Sequence, residues 1–126
     1  MGLDMYAYTA TKPDADYETG QREIAYWRKH PNLHGWMERL WEHKVLADGG
    51  DPESHTFNGI ELELTWEDIE RLENDIKTGV IAKMGTTGFF FGSPSDDYYY
   101  EKDLEFVRNA KAELFIGLKV FYNSSW

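Results

Sequence analysis

The chain has 126 residues, 41% of them hydrophobic and 29% charged, which fits one globular domain over 1–126 rather than a disordered or fibrous chain. It carries no cysteine, which excludes disulfides, thiolate metal sites and thiol nucleophiles together. Thirteen basic residues against 23 acidic ones leave a net charge of −10, so nonspecific attraction to nucleic acid or to anionic lipid is disfavoured.

Leu3 to Thr9 alternates, with Leu3, Met5 and Ala7 on one side and Asp4, Tyr6 and Tyr8 on the other, the pattern of a half-buried strand. Residues 11–20 are polar, contain Pro13 and read as an exposed loop. Glu23 to Lys29 suits neither period well; it is read as a short strand leading into a helix. Leu33, Trp36, Met37, Leu40, Trp41 and Val45 then form one apolar stripe at helical spacing, with Pro31 in the first turn and Gly49-Gly50 as the stop. Asp51 to Asn58 is a loop, and Ile60, Leu62 and Leu64 alternate with glutamates as a strand with one wet face.

Thr65-Trp66-Glu67-Asp68 is a variant capping box, opening a helix whose buried stripe is expected at Trp66, Ile69, Leu72 and Ile76, with Gly79 after its end. Phe89 to Phe91, between glycines, reads as a short buried strand. A third helix is expected from Ser95–Asp97 to about Phe115, with Leu104, Val107, Ala110 and Leu114 inward and Gly117 ending it. Leu118 to Tyr122 is a last strand. Together these elements predict an α+β fold, a two-layer sandwich of three helices on one face of a four- to five-stranded, largely antiparallel or mixed sheet.

No apolar run reaches the roughly 18–20 residues that cross a bilayer. Met1 to Tyr6 has neither the basic nor the apolar region of a signal peptide, so no membrane role and a cytoplasmic location are expected.

Six motifs recur in this order elsewhere: Met-Gly-Leu-Asp-Met-Tyr at 1–6, Tyr26-Trp27-Arg28-Lys29, Leu33-His34-Gly35-Trp36, Gly88 to Ser93, Tyr98 to Tyr100, and the terminal Ser124-Ser125-Trp126. In these the chain resembles a family of small proteins encoded by bacteriophages, including marine ones, and by some bacteria. The resemblance spans both ends and implies a whole-domain unit acting in a phage or its host's cytoplasm. No activity is established for that family, so no catalytic residue carries over. Some members bear the name phosphoglycerate kinase, but 126 residues are too few for that two-domain enzyme, and no nucleotide-binding glycine fingerprint occurs here.

The charge is unevenly spread. Residues 21–46 hold five basic and three acidic side chains, whereas 51–75 hold nine acids and one arginine. Arg28 and Lys29 precede a helix N-terminus, which favours anions, and guanidinium suits bidentate phosphate or carboxylate binding. Tyr26, Trp27 and Trp36 are placed to stack on a planar ring, and His34 adds a titratable group. These six residues form the candidate ligand site for a small anionic or phosphate-containing molecule. The competing reading pairs the cations with surface acids and puts the tryptophans in the core.

His30 and His34 are four apart, as zinc sites on a helix require, but Pro31 pushes His30 out of helical geometry and no His-Glu-x-x-His occurs. His34 is expected on the surface beside Glu38, and no metal or other cofactor is predicted. Gly85 to Ser93 lacks the lysine of a phosphate loop, and Asp48 to Glu53 and Asp96-Asp97 lack calcium-loop spacing. Ser124 and Ser125 have no nucleophile elbow around them. Nothing here demands an enzyme or excludes one, and no catalytic residue is assigned. The leading expectation is an accessory protein that binds a host or phage protein through an acidic or aromatic surface; the alternative is the anion site at Arg28–His34.

Overall fold

The computed structural model describes residues 3–10, 21–54, 56–83 and 99–126. Strand β1 (Asp4–Ala10) and β2 (Gln21–Arg28) lead to helix α1 (Pro31–Ala47); β3 (Leu62–Leu64), α2 (Trp66–Lys77) and the one-turn α3 (Val80–Lys83) follow, then α4 (Tyr100–Phe115) and β4 (Lys119–Ser125). The four strands make one antiparallel sheet in the order β2-β1-β4-β3. The expected α+β sandwich is the observed class. The predicted strand at Phe89–Phe91 and helix start at Ser95–Asp97 lie outside the described residues.

Alternation in β1 sends Leu3, Met5 and Ala7 into the core, where they meet Trp27 of β2, Val120 and Tyr122 of β4, and the apolar stripes of the three long helices. Large rings fill much of this volume. Trp27 meets Phe106 edge-on at 5.1 Å, and Phe57 lies stacked between Trp41 and Tyr122. On the opposite sheet face Tyr8 and Phe121 form a small separate buried contact.

β2 is a full strand, longer than expected, and a bulge explains why its period was unreadable. Ala7 faces Ala25 but Tyr8 faces Glu23, so Ile24 is an extra residue and the alternation slips by one. Helix α1 keeps its predicted stripe, with Pro31 in the first turn and Gly49 beyond the end at φ 85°. β3 is shorter than expected, excluding Ile60, and β4 is longer, running to Ser125.

The capping box of α2 is fully formed: Asp68 N–H donates to Thr65 Oγ1 at 3.2 Å, and Thr65 N–H donates to Asp68 Oδ2 at 2.9 Å. Trp66 departs from its predicted place in the stripe. It sits at the first helical position, is 39% exposed, and lies under the Lys111 ammonium at 5.6 Å. Asp103 and Phe106 join Val107 and Ala110 on the buried side of α4.

Candidate functional site

The chain turns sharply between β2 and α1. Lys29 has φ 57°, and its N–H donates to Leu3 O at 2.8 Å, tying the corner to the start of β1. Immediately after it, His30, Asn32 and His34 are all fully buried, a polar layer inside an otherwise apolar core. Such groups are tolerated only with partners. Asp103 of α4 accepts from His30 Nε2 at 2.8 Å and from Trp27 Nε1 at 3.1 Å, while Tyr99 stacks on the His30 ring at 4.3 Å. Asn32 Nδ2 donates to Ile81 O at 2.7 Å.

His34 corrects its predicted surface place beside Glu38. The residue at the fourth position of α1 faces β4, where its Nδ1 and the Tyr122 hydroxyl are hydrogen-bonded at 2.8 Å among the rings of Phe57 and Trp126. Burial lowers its pKa to about 4 and raises that of Tyr122 well above the usual tyrosine range, so both are uncharged at neutral pH. A neutral, sealed imidazole supplies no cation to a phosphate.

The six predicted ligand residues therefore do not converge. Trp27 and His34 are core residues; Trp36 is buried on the far side of α1 and donates through Nε1 to Asp75 of α2 at 2.8 Å. Arg28 and Lys29 are exposed at the corner. Tyr26 and Arg28 point to the sheet face opposite the helices, because they alternate with the inward Trp27.

That face is where solvent-reaching groups gather. Arg28, Asp4 and Ser125 form one row across β2, β1 and β4; Tyr26, Tyr6 and Asn123 form the next; Tyr8, Phe121 and Glu63 a third, reaching β3. Tyr6 and Tyr26 are in ring contact at 5.3 Å, and Tyr26 donates its hydroxyl to Asp4 at 2.8 Å. Tyr8 donates to Glu61. The hydrogen bond to Asp4 raises the Tyr26 pKa, and burial together with Glu61 raises that of Tyr8, so both stay protonated donors. Between Tyr6, Tyr8, Glu23, Asn123 and Ser125 the face is hollowed, with a volume of about 470 Å³.

No protein-family model, curated protein or solved structure matches the chain.

The chemistry of the face follows from its own side chains. Asp4, Glu23, Glu61 and Glu63 lie among the tyrosine rings, and among the described residues of these strands Arg28 and Lys119 are the cations on the same side. Carboxylates beside aromatic faces suit guanidinium or ammonium groups and repel phosphates. Sequence reading found the ingredients, the alternation of β1 and the wet side of β3. The acidic cap of the buried layer, Asp103, was missed; its one signal was a carboxylate one position before the apolar residue of a helical stripe. Among the described residues, no group of three or more histidine, aspartate or glutamate side chains is placed to hold a metal ion, and no helix is long and apolar enough to cross a membrane.

Proposed function

We propose that this protein acts by binding another protein, and that the sheet face opposite the helices is its contact surface. The observation that carries this reading is the Tyr6–Tyr26 pair set among Asp4, Glu23, Glu61 and Glu63. Tyrosines give large contact area at small entropic cost, and an acidic rim steers a basic partner. The resemblance to phage-encoded proteins makes that partner a host or phage protein with a lysine- or arginine-rich surface, met in the cytoplasm.

A photo-crosslinking amino acid placed at Tyr6, and separately at Arg39 on the helical side, tests this in lysate of the cells that carry the gene. The expected result is one basic protein crosslinked from position 6, lost at high salt and absent from position 39. Crosslinking from position 39 alone overturns the reading.

The small-anion reading has support at a different place from the one predicted. A cleft of about 230 Å³ between α1 and α2 is lined by Arg39, His43 and Arg71 beside Asp75. Among the described residues, neither arginine forms an ion pair there. Thermal unfolding with inorganic phosphate, with and without Arg71→Ala, separates it from the first reading.

A further inference from the structure

We propose that the exposed edge of β2, together with α4, forms a groove that takes an extended, basic segment of the partner as an added fifth strand. This rests on the protein-binding reading and names its mode.

The hydrogen-bond parity of β2 follows from its corner. Lys29 N–H bonds to Leu3 O, so the in-register pairs Met5–Trp27 and Ala7–Ala25 exchange bonds across the same gap. Tyr26 and Arg28 must then turn their N–H and C=O away from β1, towards the sheet's outer edge. The Arg28 carbonyl already has a partner there, since Tyr99 donates its hydroxyl to it at 2.6 Å. That bond marks one end of the groove. Among the described residues, the Tyr26 N–H and C=O and the Arg28 N–H have no partner on that side.

The edge is also walled. A trough of about 450 Å³ runs between β2 and α4, with Ile24, Ala25 and Phe106 as its apolar floor. Glu101, Lys102 and Glu105 line its α4 side, two carboxylates one helical turn apart against one ammonium, with Asn109 a further turn on. Strand addition uses this combination: main-chain bonds give affinity, and alternate side chains find pockets beside the strand. An extended segment in this position points one set of side chains to the helix side, over the apolar floor and beside Glu101 and Glu105, and the alternate set to the open face beside Tyr26 and Asp4. Lysine or arginine answers those carboxylates, and the chain's net charge of −10 disfavours an acidic segment. Tyr26 belongs both to this edge and to the tyrosine pair of the open face, so a single partner can cover the two.

The test uses a capped peptide of alternating lysine and valine, with its glutamate–valine counterpart, at low ionic strength. Binding of the lysine peptide should slow hydrogen exchange at the Tyr26 and Arg28 amides. Tyr26→Pro removes the outward N–H and leaves the β1 ladder untouched, whereas Tyr26→Ala removes the ring and keeps the N–H. Proline should weaken binding by about tenfold relative to alanine, the loss expected of one desolvated backbone hydrogen bond. Glu101→Lys with Glu105→Lys, which does not touch the strand, should reverse the preference to the glutamate peptide. Equal binding by the proline and alanine variants with unprotected Tyr26 and Arg28 amides overturns strand addition while leaving the open face as contact surface. No binding of the lysine peptide by the unaltered protein overturns this mode, and the crosslinking from Tyr6 then decides the wider reading alone.

Discussion

Asp103, in the first turn of α4, holds the imidazole of His30 at the mouth of α1 through a 2.8 Å bond that is closed to solvent on both sides. The same carboxylate accepts from Trp27, so it joins the end of β2, the start of α1 and the inner side of α4. Asp103→Ala strands two buried donors and should destabilise the fold by about 3–5 kcal/mol. Asp103→Asn, which keeps one acceptor, should cost less. Urea denaturation of both variants checks this; a loss under about 1 kcal/mol for the alanine would show the contact to be dispensable.

Acid should weaken the fold before the carboxylates titrate. His34 has a folded pKa of about 4 against an ordinary value near 6.5, so between those values the unfolded chain binds a proton that the folded chain refuses. Stability is therefore full above about pH 6.5, falls as pH drops towards 4, and loses at most roughly 3 kcal/mol to this residue. His34→Gln should lower stability at pH 7 yet flatten the slope between pH 7 and 5. An unchanged slope in that variant would assign the acid sensitivity elsewhere.

Helix α2 depends on its first turn. Thr65→Ala removes one cap and should cost about 1 kcal/mol. Asp68→Ala should cost more, because the Asp68 carboxylate accepts both from Lys44 Nζ at 2.6 Å and from the Thr65 N–H at 2.9 Å. Burial pushes its carboxyl up, but Lys44 and the Thr65 amide outweigh that and hold it below the usual aspartate range. Thermal unfolding at pH 7 ranks the two; the reverse order would mean that the Lys44 contact contributes nothing.

Two aromatic truncations should differ sharply. Phe57 is fully buried against Trp41, Tyr122 and His34, so Phe57→Ala should cost about 3–5 kcal/mol through the cavity it leaves. Trp66 is partly exposed and touches a lysine, so Trp66→Ala should cost under about 1 kcal/mol. Denaturant midpoints of the pair measure the contrast.

Periodicity made most of the fold legible. The stripe from Leu33 to Trp41, the alternation of β1 and the Thr65 capping box each carry their own local signal, and each stands where it was expected. Trp66 was misplaced because the first position of a helix lies at the edge of its stripe, where a period alone does not fix burial. β2 resisted reading because its bulge at Ile24 shifts the phase within one strand. The candidate site was less legible. His34 was put on the surface because helical spacing from the apolar stripe says nothing about a second buried side, and that side exists only because β4 brings Tyr122 across from the other end of the chain. Arg28 and Tyr26 share the open face with Asp4 and Tyr6, which come from a strand that only the pairing register identifies.

The sheet's central contact joins its earliest strand to its latest, Asp4 opposite Ser125. A ribosome releases the first of these long before the second, so β1 can pair only with β2 while the rest of the chain is still being made. The hairpin waits with its second edge bare until β4 emerges, and the intervening helices must be held near it without their floor. Closure between such distant segments is slow compared with local helix formation. The nascent chain therefore has an interval in which the Leu3, Met5 and Ala7 side is uncovered, and its yield in cells should depend on translation speed and chaperone supply more than its equilibrium stability suggests.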